Sequence, residues 1–187
     1  MDADIERVLL DRETIRRRVQ ELGREIAQVY GNPGENRLDE RAGVTLLPIL
    51  SGSIIFLADL IRELPLMMKL AFVHISSYPG RSTESQPHRT LLELTGDVAG
   101  RHVLIVDDIL DSGRTLPIVQ DAVRQRGPAS LRTCVLLRKR GKAPAKLKVD
   151  FVGFEIDDLF VVGYGLDFDD LYRNYPHIGV LRAELMS

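Results

Sequence analysis

The feature that most constrains the fold is an apolar run that ends in carboxylates near the middle of the chain. Val103-Leu104-Ile105-Val106 are four consecutive aliphatic residues, which predicts a strand buried on both faces. Asp107-Asp108 follow at once, and Asp111-Ser112-Gly113-Arg114-Thr115 form a polar turn. Apolar residues at helical spacing then predict a helix that ends at Gly127-Pro128. This order indicates an α/β sheet with a ligand site at its carboxyl edge.

The residue types in this turn suit a phosphorylated sugar. Ser112 to Thr115 would place backbone N–H groups, hydroxyls and a guanidinium at a helix N-terminus, where the helix dipole attracts anions. Asp107 and Asp108 would accept hydrogen bonds from vicinal hydroxyls and would ligate Mg²⁺ as hard oxygen donors. The alternative is an acidic loop with an ordinary helix cap and no ligand.

Composition limits the class of protein. A length of 187 residues suits one domain, and a net charge of −2 gives no electrostatic case for nucleic acid as a partner. The single cysteine, Cys134, lies in an apolar run and is predicted to be a buried thiol, which suits a reducing compartment. The acidic N-terminus is not typical of a signal peptide, and no apolar run approaches the roughly 20 residues of a membrane helix. We therefore expect a cytoplasmic protein without a membrane partner.

Strands and helices alternate along the rest of the chain. An amphipathic helix is predicted over residues 11–30, with Asp11 as its N-cap. A buried strand from Val44 to Leu50 leads through Ser51-Gly52-Ser53 into an apolar helix, a geometry that also suits an anion site. Further strands are predicted at residues 66–77, 90–94, 130–137, 151–154 and 160–164, and an apolar run lies at residues 178–181.

Two polar stretches have open interpretations. The segment from Tyr78 to Arg89, rich in Gly, Pro and Ser, is typical of a lid that would shield the reacting centre from water, and a disordered connection is the alternative. Six basic residues between Arg138 and Lys148 favour a solvated loop beside a phosphate site, and an RNA-binding surface is the alternative. The four histidines are dispersed without metal-ligand spacing, so no zinc site is expected.

Several motifs together resemble a known enzyme family. The central segment resembles the phosphoribosyl diphosphate signature of the type I phosphoribosyltransferases. The runs Asp150-Phe151-Val152-Gly153-Phe154-Glu155-Ile156 and Phe160-Val161-Val162-Gly163-Tyr164-Gly165-Leu166-Asp167, with Lys139 and Arg173, are similar to the hypoxanthine-guanine phosphoribosyltransferases. The similarity extends from about Val44 to Leu181.

The resemblance implies the type I phosphoribosyltransferase fold, an α/β architecture with a twisted, mainly parallel sheet flanked by helices. The chain would form one domain over residues 1–187. Its core would cover about residues 40–148, and a small hood lobe would come from about residues 1–39 and 149–187.

The resemblance also implies roles for the matching residues. Asp107 and Asp108 would hold the ribose hydroxyls and Mg²⁺, and Asp111 would be the general base at the purine N7. The 5′-phosphate would be bound by Ser112, Gly113, Arg114 and Thr115. The pyrophosphate would be bound by Ser51, Gly52 and Arg173. The purine would be bound by Lys139, Phe160, Val161 and Asp167. Asp167 would also ligate a Mg²⁺ ion, and Ser77 and Tyr78 would belong to the lid.

The purine contacts have a physical rationale. Phe160 would stack on the base, and Lys139 would donate to the 6-oxo group, which favours 6-oxopurines over adenine. Val161 would present only its backbone, because its side chain is apolar. The structural alternative places Phe160 in the core and pairs Asp167 with Arg173 at the surface.

The implied reaction is Mg²⁺-dependent transfer of the 5-phosphoribosyl group from 5-phosphoribosyl 1-diphosphate to hypoxanthine or guanine. The products would be IMP or GMP and pyrophosphate, and the enzyme would act in purine salvage as a homodimer or homotetramer. The alternatives are a phosphoribosyltransferase for xanthine or a pyrimidine, and a noncatalytic regulator that senses the donor and binds RNA. The presence of Asp111 favours an enzyme.

The turn at Ser51 departs from the family pattern. The family commonly has a lysine where this chain has Ser51. Serine at this position removes a positive charge near the pyrophosphate. We hypothesise that Arg81 or Arg89 of the lid replaces this charge. The resemblance further implies a cis peptide bond between Leu50 and Ser51.

Overall fold

A computed structural model describes residues 1–31, 43–78 and 89–186. The helices are α1 (Arg12–Tyr30), α2 (Ile54–Glu63) and α3 (Thr115–Arg124). The strands are β1 (Ile5–Leu10), β2 (Val44–Leu50), β3 (Met68–Leu70), β4 (Phe72–Tyr78), β5 (Arg89–Thr95), β6 (His102–Leu110), β7 (Ser130–Lys139), β8 (Phe151–Ile156), β9 (Val161–Val162) and β10 (Ile178–Leu181). Short 3-10 helices cover Asp2–Asp4 and Ala183–Met186.

The larger sheet has the strand order β5-β4-β2-β6-β7-β8, with β3 also paired to β2. Its strands are parallel except β5, which runs antiparallel to β4 at one edge. Strand β6 lies in the middle, and Val103, Leu104, Ile105 and Val106 are completely buried. Leu104 and Val106 pack towards α1 and α2, whereas Val103 and Ile105 pack towards α3. The predicted parallel α/β sheet with both faces covered is confirmed.

The smaller sheet is antiparallel and has the order β1-β10-β9. Strand β1 was not predicted, and it pairs with β10 from Ile5 opposite Leu181 to Leu10 opposite Ile178. The turn after β9 packs closely on the turn after β2. A Cβ atom on Gly165 would overlap the carbonyl oxygen of Gly52. The smaller sheet therefore lies beside the carboxyl edge of the larger one.

Two element boundaries differ from the sequence analysis. The strand expected over residues 66–77 is divided into β3 and β4, which keep one register on β2 and are interrupted opposite Pro48, a residue without an N–H donor. Strand β8 pairs with β7 in the larger sheet, although the expected boundary at residue 149 assigned it to the hood. Arg18 of α1 donates to the carbonyl oxygens of Val152 and Gly153, so α1 also packs on the larger sheet.

The first helix begins as predicted. The Asp11 carboxylate accepts a hydrogen bond from the Thr14 N–H at 2.7 Å, and the apolar face of α1 is buried. Within residues 1–31, 43–78 and 89–186, no helix is long and apolar enough to cross a membrane.

Candidate active site

A cleft of about 380 Å³ opens at the carboxyl edge of the larger sheet, where β2, β4 and β6 end. It is lined by Ile49, Leu50, Gly52, Ile75 and residues 107–116. Ligands of parallel α/β proteins bind at this edge, because the loops that follow the strands converge there. The acidic pair and the turn predicted to bind phosphate therefore line one cavity.

The acidic pair lies at the floor of this cleft. Asp107 is only 7% exposed, and its carboxylate accepts a hydrogen bond from the Asp108 N–H at 3.1 Å. Burial raises the pKa of Asp107 well above its ordinary value, and the neighbouring Asp108 carboxylate raises it further. Burial also raises the pKa of Asp108, while the positive charge of Arg173 opposes that change. A bound cation or a pair of hydroxyl donors would stabilise both carboxylates in their ionised form.

The turn after β2 comes unusually close to the acidic pair. A Cβ atom on Gly52 would overlap the Asp108 carboxyl group, so only glycine leaves room for it. The peptide bond between Leu50 and Ser51 is cis, which confirms the expectation. The Ser51 side chain is exposed, and the Ser53 hydroxyl donates to the Ile49 carbonyl at 2.6 Å.

The turn before α3 has the features of an anion site. The side chains of Ser112, Arg114 and Thr115 are exposed. Arg114 is the N-cap residue of α3, and its side chain does not cap the first N–H groups of the helix. Gly113 has a φ of +71°, which favours glycine. A Cβ atom there would lie 2.9 Å from Leu147, so the turn packs on the loop after β7.

Four charged side chains meet where β7 and β8 end. The Lys139 ammonium is 3.2 Å from Asp111 Oδ2 and 3.2 Å from Asp158 Oδ1. The Lys142 ammonium is 2.8 Å from Asp158 Oδ2 and 3.6 Å from Asp111 Oδ1. These ion pairs, first with Lys142 and then with Lys139, hold the pKa of Asp158 below its ordinary value. We refer to Asp111, Lys139, Lys142 and Asp158 as the charge cluster.

One oxygen of this cluster lacks a hydrogen-bond donor within the described part of the chain. Among the described residues, none donates a hydrogen bond to Asp111 Oδ1, although this atom is buried. Lys139 Nζ is held beside the other oxygen of the same carboxylate. Asp111 Oδ1, which can accept a further hydrogen bond, thus lies close to the Lys139 ammonium, which can donate one.

Phe160 is available for stacking. Its side chain is 41% exposed, and its edge packs on Phe168 with the ring centroids 5.6 Å apart. The alternative that Phe160 is a core residue is therefore wrong. Val161 follows in β9 opposite Val180 and its side chain is buried, so a ligand could contact it only through its backbone.

Asp167 and Arg173 form a pair in the turns after β9. Arg173 Nη1 is 2.8 Å from Asp167 Oδ1 and also donates to the Gly165 carbonyl. The backbone N–H of Asp170 donates to the second Asp167 oxygen. Within the described ranges no three acidic, histidine or cysteine side chains form a metal-binding group, so Asp167 does not join Asp107 and Asp108 in one cluster.

Comparison with known proteins identifies the family. The chain matches the family described as "Phosphoribosyl transferase domain" over residues 13–169. It is 42% identical to the hypoxanthine-guanine phosphoribosyltransferase of Mycobacterium avium over 178 residues, which cover 95% of this chain and 86% of that protein. The corresponding enzyme of Bacillus subtilis (strain 168) is 38% identical over 182 residues, which cover 97% and 96%. The chain belongs to the hypoxanthine-guanine phosphoribosyltransferase family.

Solved structures of this family have the same fold. A point variant of hypoxanthine phosphoribosyltransferase from Trypanosoma cruzi, complexed with the product IMP, has a TM-score of 0.85 and 38% identity. The match covers 98% of this chain and 87% of that one. The type I phosphoribosyltransferase fold is thereby confirmed.

Family motifs did not reveal the whole charge cluster. Lys142 and Asp158 were not among the predicted site residues, yet they contact Asp111 and Lys139. The only sequence signal for Asp158 is its place two residues before Phe160. Lys142 could be noticed only as one of several basic residues in its loop.

The basic residues after β7 are paired with carboxylates. Arg138 pairs with Glu155, Arg140 pairs with Asp157 at 2.7 Å, and Lys148 lies 3.4 Å from Asp150. These pairs and the charge cluster balance much of the positive charge of the loop. A basic RNA-binding surface is not favoured by this arrangement.

The predicted lid falls largely outside the described residues. Ser77 and Tyr78 end β4, but their side chains are not among those described. Arg81 and the side chain of Arg89 also lie outside the described residues. Compensation of Ser51 by these arginines therefore stays a hypothesis.

Proposed function

We propose that this protein transfers the 5-phosphoribosyl group of 5-phosphoribosyl 1-diphosphate to hypoxanthine or guanine, giving IMP or GMP and pyrophosphate. The observation that carries this proposal is the adjacent donor and acceptor formed by Lys139 Nζ and Asp111, which are 3.2 Å apart, with Asp111 lining the cleft. The relatives that share this fold are named for the same activity.

This donor and acceptor fit one edge of a 6-oxopurine. The 6-oxo oxygen and N7 are neighbours on that edge, and the oxygen accepts a hydrogen bond. Lys139 would donate to the oxygen, while Asp111 Oδ1, which accepts no hydrogen bond from a described residue, would accept the proton of an N7–H tautomer. Adenine would present an amino group to the ammonium, so two donors would face each other.

The proton acceptor has a defined part in the transfer. The N9 lone pair forms a bond to C1′ of the ribose while the bond from C1′ to the pyrophosphate oxygen breaks, and the electrons leave with pyrophosphate. The N7 proton then passes to Asp111, so that the purine of the product is neutral. Phe160 would hold the ring plane by stacking, and the Val161 backbone would contact the base edge.

The phosphate groups would be held by the turns around the cleft. Ser112, Gly113, Arg114 and Thr115 would bind the 5′-phosphate at the start of α3. Ser51, Gly52 and Arg173 would bind the departing pyrophosphate, where a guanidinium offers two parallel donors. Ser77 and Tyr78 would close over the reacting carbon and exclude water.

Asp107 and Asp108 fit a Mg²⁺ ion bound together with the ribose. Both are hard oxygen donors, and their buried position would favour a nearby cation. Mg²⁺ usually takes one or two carboxylates and completes its shell with substrate oxygens and water. When bound, it would neutralise negative charge on the pyrophosphate. Asp167 would ligate a second ion, and its carboxylate would then be shared between that ion and Arg173.

Assembly and location complete the proposal. We expect a homodimer or homotetramer that acts in the cytoplasm. The buried, unpaired thiol of Cys134 is consistent with a reducing compartment. Light scattering should give twice or four times the chain mass of 21.0 kDa.

Pyrophosphate release tests the function directly. The purified protein would be mixed with donor, Mg²⁺ and, in turn, hypoxanthine, guanine, xanthine, adenine and uracil. We expect release with the first two, loss of release with a chelator, and a decrease of kcat by about 10²–10⁴-fold in Asp111→Ala. Release only with xanthine or uracil would change the acceptor, and tight donor binding without release would support the regulator.

A further inference from the structure

We propose that Asp158 is a positioning residue that holds the Lys139 ammonium at the purine edge, with Lys142 joining Asp158 to Asp111. This inference rests on the function proposed above and concerns how the same site selects 6-oxopurines. Asp158 itself would not touch the substrate.

The argument begins with the burial of Lys139. Its side chain is only 8% exposed, and the ammonium lies between the carboxylates of Asp111 and Asp158, 3.2 Å from each. A buried ammonium is costly unless carboxylates compensate its charge. The two carboxylates have different tasks, because Asp111 must also take up the purine proton.

That proton changes the surroundings of Lys139. Once Asp111 is protonated it is neutral, and it no longer compensates the ammonium. Asp158 is then the remaining carboxylate in the charge cluster that contacts Lys139 Nζ. It would keep the ammonium in place while the 6-oxo group accepts its hydrogen bond.

The backbone around Asp158 is suited to this task. The Arg140 N–H donates to the Ile156 carbonyl at 2.9 Å, which ties the end of β8 to the end of β7. The Leu159 N–H donates to the Asp157 carbonyl at 2.8 Å, so a tight turn follows. Asp158 lies in this turn and Phe160 follows it directly. The residue that orients Lys139 is thus fixed relative to the ring proposed to stack on the purine.

Lys142 completes the arrangement. Its ammonium contacts Asp158 at 2.8 Å and lies 3.6 Å from Asp111 Oδ1. It balances the second negative charge, so that the two carboxylates can lie on the same ammonium without net repulsion. Its contact to Asp111 Oδ1 is the longer one and is not a hydrogen bond, so this oxygen can still accept a hydrogen bond from the purine.

The test compares Asp158→Asn with Asp157→Asn. Asp157 is the adjacent carboxylate, but it pairs with Arg140 and its side chain is 74% exposed, so it is a matched control. We expect Asp158→Asn to raise the KM for hypoxanthine about tenfold, because a charged hydrogen-bond partner of Lys139 is lost. The KM for 5-phosphoribosyl 1-diphosphate should not change. The inhibition constant of unsubstituted purine, which lacks the 6-oxo group, should not change either.

Further variants separate positioning from a general structural role. Asp158→Glu should recover part of the affinity for hypoxanthine, and Lys142→Gln should raise that KM by a smaller factor than Asp158→Asn. Equal kinetic constants for Asp158→Asn and Asp157→Asn would overturn the proposal. A parallel rise in the inhibition constant of unsubstituted purine would also overturn it. An inactive wild-type protein would instead contradict the proposed function.

Discussion

The contact between Gly52 and Asp108 shows how one missing side chain can shape a site. The turn after β2 lies so close to β6 that a Cβ atom on Gly52 would occupy the place of the Asp108 carboxyl group. The sequence suggested glycine here only as part of a tight turn or an anion site. The requirement arises from the packing of two strand ends that are far apart in the chain.

Gly52→Ala should displace the Asp108 carboxylate. We expect kcat/KM for pyrophosphate release to fall by about 100-fold, because displacement by about 1 Å of a group that orients substrate has effects of this size. The melting temperature checks that the variant is folded. A folded variant with near wild-type kcat/KM would show that Asp108 does not need its observed position.

Residue types at the site were largely predictable, but their pairing was not. Motifs whose chemistry can be inferred from the sequence contain the acidic pair, the turn at residues 112–115 and Lys139. Asp158 and Lys142 lie in segments without such a motif, and their proximity depends on the parallel pairing of β7 with β8. Periodicity and spacing carry no information on such a contact.

At the scale of elements, the strands of the larger sheet were predictable because they are apolar runs between turn signals. Strand β1 was missed, because Ile5 is its one buried residue, three exposed residues follow it without alternation, and its partner β10 lies at the other end of the chain. The interruption between β3 and β4 was missed for a related reason. It lies opposite Leu47 and Pro48 of a neighbouring strand, and Pro48 has no N–H to donate.

The start of α1 provides a prediction with a defined pH dependence. The hydrogen bond from the Thr14 N–H stabilises the ionised Asp11 carboxylate and lowers its pKa below the ordinary value of 3.8. Because the folded-state pKa is the lower one, the stabilisation is complete above 3.8 and is lost as the pH falls through the folded-state value.

Asp11→Ala should therefore lower the melting temperature at pH 7, and the difference from wild type should shrink at about pH 3 and below. Thermal unfolding followed by circular dichroism at both pH values measures this. Glu13→Ala in the same helical turn is the control, since the Glu13 side chain forms an exposed pair with Arg16 at 3.5 Å. A pH-independent difference for Asp11→Ala would contradict the capping role.

At the scale of the whole molecule, the site depends on how the smaller sheet lies against the larger one. The larger sheet supplies the acidic pair and the turn before α3, whereas Phe160, Val161 and Arg173 come from the chain around β9. The contact of Gly165 with Gly52 brings these two groups together. Neither sheet alone carries both the proposed sugar site and the proposed purine site.

A partly buried hydrogen bond links the two parts. The Tyr164 hydroxyl, just after β9, donates to Asp59 of α2 at 2.7 Å. Tyr164 is only 6% exposed, and burial together with the Asp59 carboxylate raises the pKa of its hydroxyl, so it stays a donor at neutral pH. Tyr164→Phe keeps the ring and removes this bond.

We expect Tyr164→Phe to lower the free energy of unfolding by about 1 kcal/mol, the usual net contribution of such a bond, as measured by urea denaturation. The bond also fixes the turn that leads to Arg173, so the KM for 5-phosphoribosyl 1-diphosphate should rise. Tyr172→Phe removes a 3.2 Å hydrogen bond to Asp4, which joins the turns after β9 to the N-terminal segment and not to α2. If both variants changed this KM equally, the link between Tyr164 and α2 would have no special part in closing the site.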